Sequence, residues 1–152
     1  MGLFSFLSNK LPIDTQRIEQ AIAALEQKTS AELRVVVERK AKIDKTDNAA
    51  ILRANQLFDE LKMRETAERN GVLIYLSFKP HYAAIIGDEG IHQKVDNDFW
   101  QKIYATMCLD CQQGDYTQAI CDAIKMVKAP LAHHFPYQAD DKNELSNEVV
   151  VK

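Results

Sequence analysis

The sequence predicts an α/β fold, a three-layer α/β/α sandwich around a small mixed sheet in which a βαβ unit is followed by an antiparallel hairpin. Three observations predict it. Residues 33–37 and 72–77 are β-branched, nearly continuous apolar runs, the pattern of strands covered on both faces. An amphipathic helical stretch separates them, so their pairing should be parallel with a right-handed crossover. A third apolar run, residues 82–87, follows the second after only Phe78-Lys79-Pro80-His81. That connection cannot hold a crossover, so these two strands should form a hairpin.

Each element has its own signal. Pro12-Ile13-Asp14 marks a helix entry, with Asp14 able to accept from the first free amides. Ile18, Ala21, Ile22 and Leu25 then recur at helical spacing to about Lys28, where Thr29-Ser30 breaks the pattern. A second helix is predicted from about Thr46 to Leu61, with Ala50, Ala54, Leu57, Phe58 and Leu61 on one face. Arg69-Asn70-Gly71 is a turn signal, because Asn and Gly tolerate positive φ. After Gly87-Asp88-Glu89-Gly90 the pattern is helical through Ile91, Val95, Phe99, Trp100, Ile103 and Met107. Gln112-Gln113-Gly114 breaks it, and a last helix runs from Tyr116 until it is kinked or stopped at Pro130.

Composition bounds the function. The 152 residues suit one domain, and 46% hydrophobic content is ample for a core. With 19 basic against 22 acidic residues the formal charge is −3, without the basic excess on which nucleic-acid binding depends. Nucleic acid is therefore excluded as a partner. No run approaches the roughly 20 apolar residues of a membrane span. The apolar start, Gly2-Leu3-Phe4-Ser5-Phe6-Leu7, lacks the basic opening and cleavage site of a secretory signal. It reads either as a flexible or packed end or as a short amphipathic anchor toward a membrane or partner. Three cysteines without an export signal favour the cytoplasm, at most peripheral to a membrane. Residues 137–152 read as an acidic, solvated tail for which Leu145 and Val149-Val150-Val151 offer a docking handle.

Taken in order, Thr29-Ser30-Ala31-Glu32-Leu33-Arg34-Val35-Val36-Val37, Arg69-Asn70-Gly71-Val72-Leu73-Ile74-Tyr75, Ile86-Gly87-Asp88-Glu89-Gly90-Ile91 and Gly114-Asp115-Tyr116 resemble the TPM domain, in its cytosolic, bacterial-type branch. The resemblance spans roughly Ile13 to Ala132, and the chain is expected to divide into an N-terminal segment over 1–12, a TPM-like domain over 13–136 and an acidic flexible tail over 137–152. It also implies an α/β/α sandwich, divalent-metal binding in some members, usually calcium, and an acid-phosphatase activity proposed for plant ones. The family loop reads Gly-x-Gly-x-Glu with a later Asp. Here it reads Gly87-Asp88-Glu89-Gly90, with Asp96 nine positions after Gly87, and Arg69 stands where an Asp often precedes the Asn-Gly pair.

Two constellations could carry chemistry. Asp88 and Glu89 sit between a strand end and a helix start, the setting in which open α/β sheets bind ligands at the carboxyl ends of parallel strands. With Asp96, Asn70 or backbone carbonyls they could supply oxygens to calcium or magnesium. They could equally be acids capping a helix. Arg69 could clamp a phosphate or carboxylate, with Thr66 and Asn70 orienting the same ligand. The alternative pairs Arg69 with Glu65 and leaves Asn70-Gly71 as turn chemistry. Cys108-Leu109-Asp110-Cys111 has the spacing of half a zinc site, but core thiols are the better reading because further ligands are wanting. His133-His134 reads as a helix-end preference. Two functional classes follow: a noncatalytic module that binds an unknown protein partner near a membrane assembly, with or without a divalent metal, or a metal-dependent acid phosphatase in which Arg69 steadies the phosphoryl charge.

Overall fold

The computed structural model describes residues 11–42, 46–139 and 146–152. The expectations placed on residues 1–10 and 140–145, including the apolar start and most of the acidic charge of the tail, lie outside these residues.

Asp14 opens helix α1 (Thr15–Glu26) by accepting from the Arg17 amide at 3.1 Å, and Ile18, Ile22 and Leu25 form its buried stripe. Strand β1 (Glu32–Glu38) follows, then α2 (Ala49–Glu60) and a single 3-10 turn (Met63–Glu65). Strands β2 (Gly71–Phe78) and β3 (His81–Gly87) are joined by Lys79-Pro80 alone, whose peptide bond is cis. A short helix α3 (Glu89–His92), two long helices α4 (Asn97–Gln112) and α5 (Tyr116–His134), and a two-residue strand β4 (Val150–Val151) complete the chain.

The sheet order is β3-β2-β1-β4. β1 and β2 pair in parallel with Val35 opposite Ile74, and α2 is the crossover between them. β2 and β3 pair antiparallel from Val72–Gly87 to Phe78–His81. Strand side chains alternate between two cores, as a period of two requires. Leu33, Val35, Val37, Val72, Ile74 and Leu76 meet α1, α4 and α5 on one face. Val36, Leu73 and Tyr75 meet Ala54, Leu57 and Phe58 of α2 on the other. Each such aliphatic burial contributes about 1.5–3 kcal/mol. The three-layer α/β/α arrangement is therefore what the sequence predicts.

Three local expectations are corrected. The helical pattern after Gly90 is two helices, because Asp96 accepts from the Phe99 amide at 3.0 Å and starts α4 afresh. Pro130 does not stop α5, which continues to His134. At the tail, Val150 and Val151 do not run free but pair in parallel with Val36 and Val37, although the Val151 side chain stays exposed. The Lys152 amide donates to the Val37 carbonyl, and the Arg39 amide donates to the Lys152 carbonyl, both at 2.9 Å. Backbone groups along the β1 edge would otherwise need other partners, which is what fixes this end of the chain there. The Val149 amide adds a bond to Glu19 Oε2 at 3.0 Å.

Candidate functional site

The Arg69-Asn70-Gly71 turn and the Asp88 loop do meet at one rim of the sheet. The Asp88 amide donates to the Gly71 carbonyl and the Gly90 amide to the Arg69 carbonyl, each at 2.9 Å. Gly90 is required there, since a Cβ at that position would run into the Glu68 and Arg69 carbonyl oxygens. The turn itself is built differently from the expectation. Arg69 takes the positive φ of 51°, while Gly71 already belongs to β2. What position 71 needs is smallness: a Cβ would lie 3.1 Å from the Met63 carbonyl oxygen.

The rim lies at the opposite end of the parallel strands from the one predicted. Glu32 pairs with Gly71 and Val72 with Gly87, so the Asp88 loop adjoins the amino ends of β1 and β2. The hairpin reverses the chain, and the end of β3 returns to where its neighbours begin.

Asp88 is buried and fully committed. Arg69 grips it with two bonds, Nε to Oδ2 at 2.8 Å and Nη2 to Oδ1 at 2.9 Å. Oδ1 also accepts from the Glu89 amide at 2.7 Å as the α3 cap, and Arg64 Nη1 lies 3.5 Å away. Burial pushes the Asp88 carboxyl upward, but the Arg69 fork and the Glu89 amide outweigh it and hold it below the usual carboxylate range. Glu89 is exposed, with its Oε2 3.5 Å from Arg69 Nη1. Asp96 is exposed and spends its carboxylate on the α4 cap. Thr66 Oγ1 accepts from the Asn70 amide at 3.2 Å, so it closes the turn. Asn70 is buried, and its Oδ1 has no hydrogen-bond partner among the described residues. The Arg69–Glu65 pairing is replaced by Arg69–Asp88.

A second carboxylate–arginine pair was not foreseen. Glu38, completely buried at the end of β1, accepts from Arg53 Nε at 3.1 Å, from Arg53 Nη2 at 2.7 Å and from the Tyr75 hydroxyl at 2.7 Å. Burial opposes ionisation of Glu38, yet the arginine and the hydroxyl hold it below the usual range. Its sequence signal was Arg53 itself, a cation at the helical spacing of Ala50, Ala54 and Leu57. Cys108, Cys111 and Cys121 are free, half-buried thiols, and burial pushes Cys111 up to about 11.

The sequence matches the TPM domain over residues 5–129. The chain belongs to the TPM domain family. Its fold is similar to the NMR structure of BA42 protein from the psychrophilic bacterium Bizionia argentinensis, with a TM-score of 0.80 and 34% identity over 92% of this chain and 95% of that one. No curated protein matches.

The residues of this TPM domain do not fit the divalent cation that the family resemblance implies. Calcium takes six to eight oxygens, and magnesium wants near-ideal octahedral geometry. Of the three candidate carboxylates, Asp88 is occupied by a guanidinium, Asp96 by a helix amide, and Glu89 points to the same arginine. No three His, Cys, Asp or Glu side chains among the described residues gather in a way that could hold a metal. No helix among them is long and apolar enough to cross a membrane.

Proposed function

We propose that this TPM domain is a noncatalytic module that recognises a partner protein. The observation that carries this reading is the bidentate Arg69–Asp88 pair. A cation built into the chain already neutralises the buried acid of the rim, at the position where a metal-assisted hydrolase would need an open carboxylate. The side-on face of Arg69, Nε with Nη2, is correspondingly spent on Asp88, and its remaining Nη1 lies 3.5 Å from the Glu89 carboxylate. The rim then acts as a clasp that joins hairpin to turn, and recognition falls to the surface.

The test is phosphate release from p-nitrophenyl phosphate by the full chain, with calcium, magnesium or chelator, from acid to neutral pH. No metal-dependent release is expected, and the melting temperature should be the same with saturating metal as with chelator, because nothing binds the folded state preferentially. Metal-dependent turnover that disappears in Asp88→Ala would overturn the proposal.

A further inference from the structure

We propose that the outer edge of β3, on the floor of a groove between α2 and α4, binds an extended segment of a partner polypeptide that carries a lysine or arginine among apolar residues. The inference rests on the module reading and names its partner chemistry.

Among the described residues β3 is a free edge of the sheet, whereas the opposite edge carries β4. Edge strands usually defend their unpaired amides and carbonyls with lysine, proline or a bulge. His81–Gly87 has no lysine or proline, and its register with β2 runs unbroken. What shields it is a helix on each side. Two adjoining concavities of about 360 and 350 Å³ follow the strand, and both are lined by Asp47, Ala50, Ala83 and Tyr104. α2 contributes Ala50 and Ile51 to one wall, and α4 contributes Trp100 and Tyr104 to the other. Ile51 and Tyr104 are exposed at 45% and 46%.

The shape selects the occupant. Walls on both faces of the edge keep out a second sheet but admit one extended strand, whose backbone can complete the ladder. From His81 to Ile85 the slot offers roughly 16 Å of strand. The sheet already accepts such a guest at its other edge, where two residues of β4 suffice for pairing. Charge selects the side chain. Among the described residues Asp47 is the only Asp, Glu, Lys or Arg lining either concavity, and it shares them with Tyr82, Tyr104, Tyr116 and Trp100. One carboxylate among aromatic rings favours a cation. His81 does not compete for the slot, since its ring stacks on Tyr116 and its Nε2 shares a hydrogen bond with the Tyr116 hydroxyl at 3.2 Å.

The test titrates the ¹⁵N-labelled full chain with the blocked peptide acetyl-Thr-Val-Lys-Val-Thr-Val-amide, its glutamate-for-lysine counterpart, and a version N-methylated at alternate amides. Amide shifts should centre on Tyr82, Ala83, Ile85, Ile51 and Tyr104. The lysine peptide should bind about fivefold more tightly than the glutamate one, and Asp47→Asn should remove that preference. Ile51→Lys should weaken binding by about the same factor. Both positions are exposed, so these variants keep the fold. Four results would overturn the groove: no shifts, shifts centred on the Arg69–Asp88 rim, equal binding of the N-methylated peptide, or tetramethylammonium reproducing the response, which would make it a small-cation pocket. None of these touches the module reading, which falls only to metal-dependent phosphate release.

Discussion

Two arginine–carboxylate pairs among the described residues bury their acid, and they differ in where the cation sits. At Glu38 both partners are inside: the acid is wholly buried, Arg53 is 8% exposed, Tyr75 donates to the acid and Gln56 accepts from the arginine. At Asp88 only the acid is inside, and the Arg69 side chain is 41% exposed. A buried pair is weak support for stability when compared with well-packed apolar residues, yet removing one member is costly because the other is left charged without water. An arginine at the surface can return to solvent instead. The first pair therefore fixes how α2 seats on the sheet, while the second tethers a loop that water still reaches.

The largest effect should come from Arg53→Met, which leaves Glu38 buried without its cation. Urea unfolding should show a loss of about 3–5 kcal/mol, much of it recovered when Glu38→Leu is added. Asp88→Ala should cost less, about 2 kcal/mol, for one helix cap and the charge-assisted bonds. If the two losses came out equal, exposure of the arginine would not be what distinguishes the pairs.

pH separates both pairs from a third set of acids. Glu38 and Asp88 are held below their ordinary values, so their stabilisation is present at neutral pH and is lost as pH falls through the folded values. Glu26 faces Glu32 rather than an arginine, and burial followed by that neighbour pushes it up to about 8. The folded state then holds a proton that the unfolded state gives up, and stability should decline as pH rises from about 4.5 to 8. Glu26→Gln should flatten that decline, recovering roughly 1 kcal/mol at pH 8 in the same unfolding measurement. A wild-type stability that did not fall across this interval would remove the contrast.

The layers were legible because side-chain period and connection length are local properties. Runs at 33–37 and 72–77, the helical stretch between them and the short connection at 78–81 dictate both strand directions. The meeting of Asn70 with the Asp88 loop was also legible, since it follows from pairing the hairpin in register. Which end of the sheet they occupy was not read correctly, because the rule for parallel strands was carried onto a strand that runs the other way. Nor was the bond between them. Arg69 was weighed against Glu65, one helical turn back, whereas its partner stands 19 residues on and becomes adjacent only when the hairpin closes. Arg53 had a readable signal in its spacing, but the Glu38 it grips lies on β1 and the Tyr75 that shares this acid lies on β2. The β3 groove had none, since Tyr82, Tyr104 and Asp47 come from a strand, a helix and a turn and look ordinary in each.

The unequal treatment of the two sheet edges sets how these domains can assemble. Stacking a sheet onto itself indefinitely needs an acceptor on both sides of every unit. Here the tail pairs with Val36 and Val37 on one side and helices wall the other, so β3 takes a single extended guest and a second whole sheet cannot add to it.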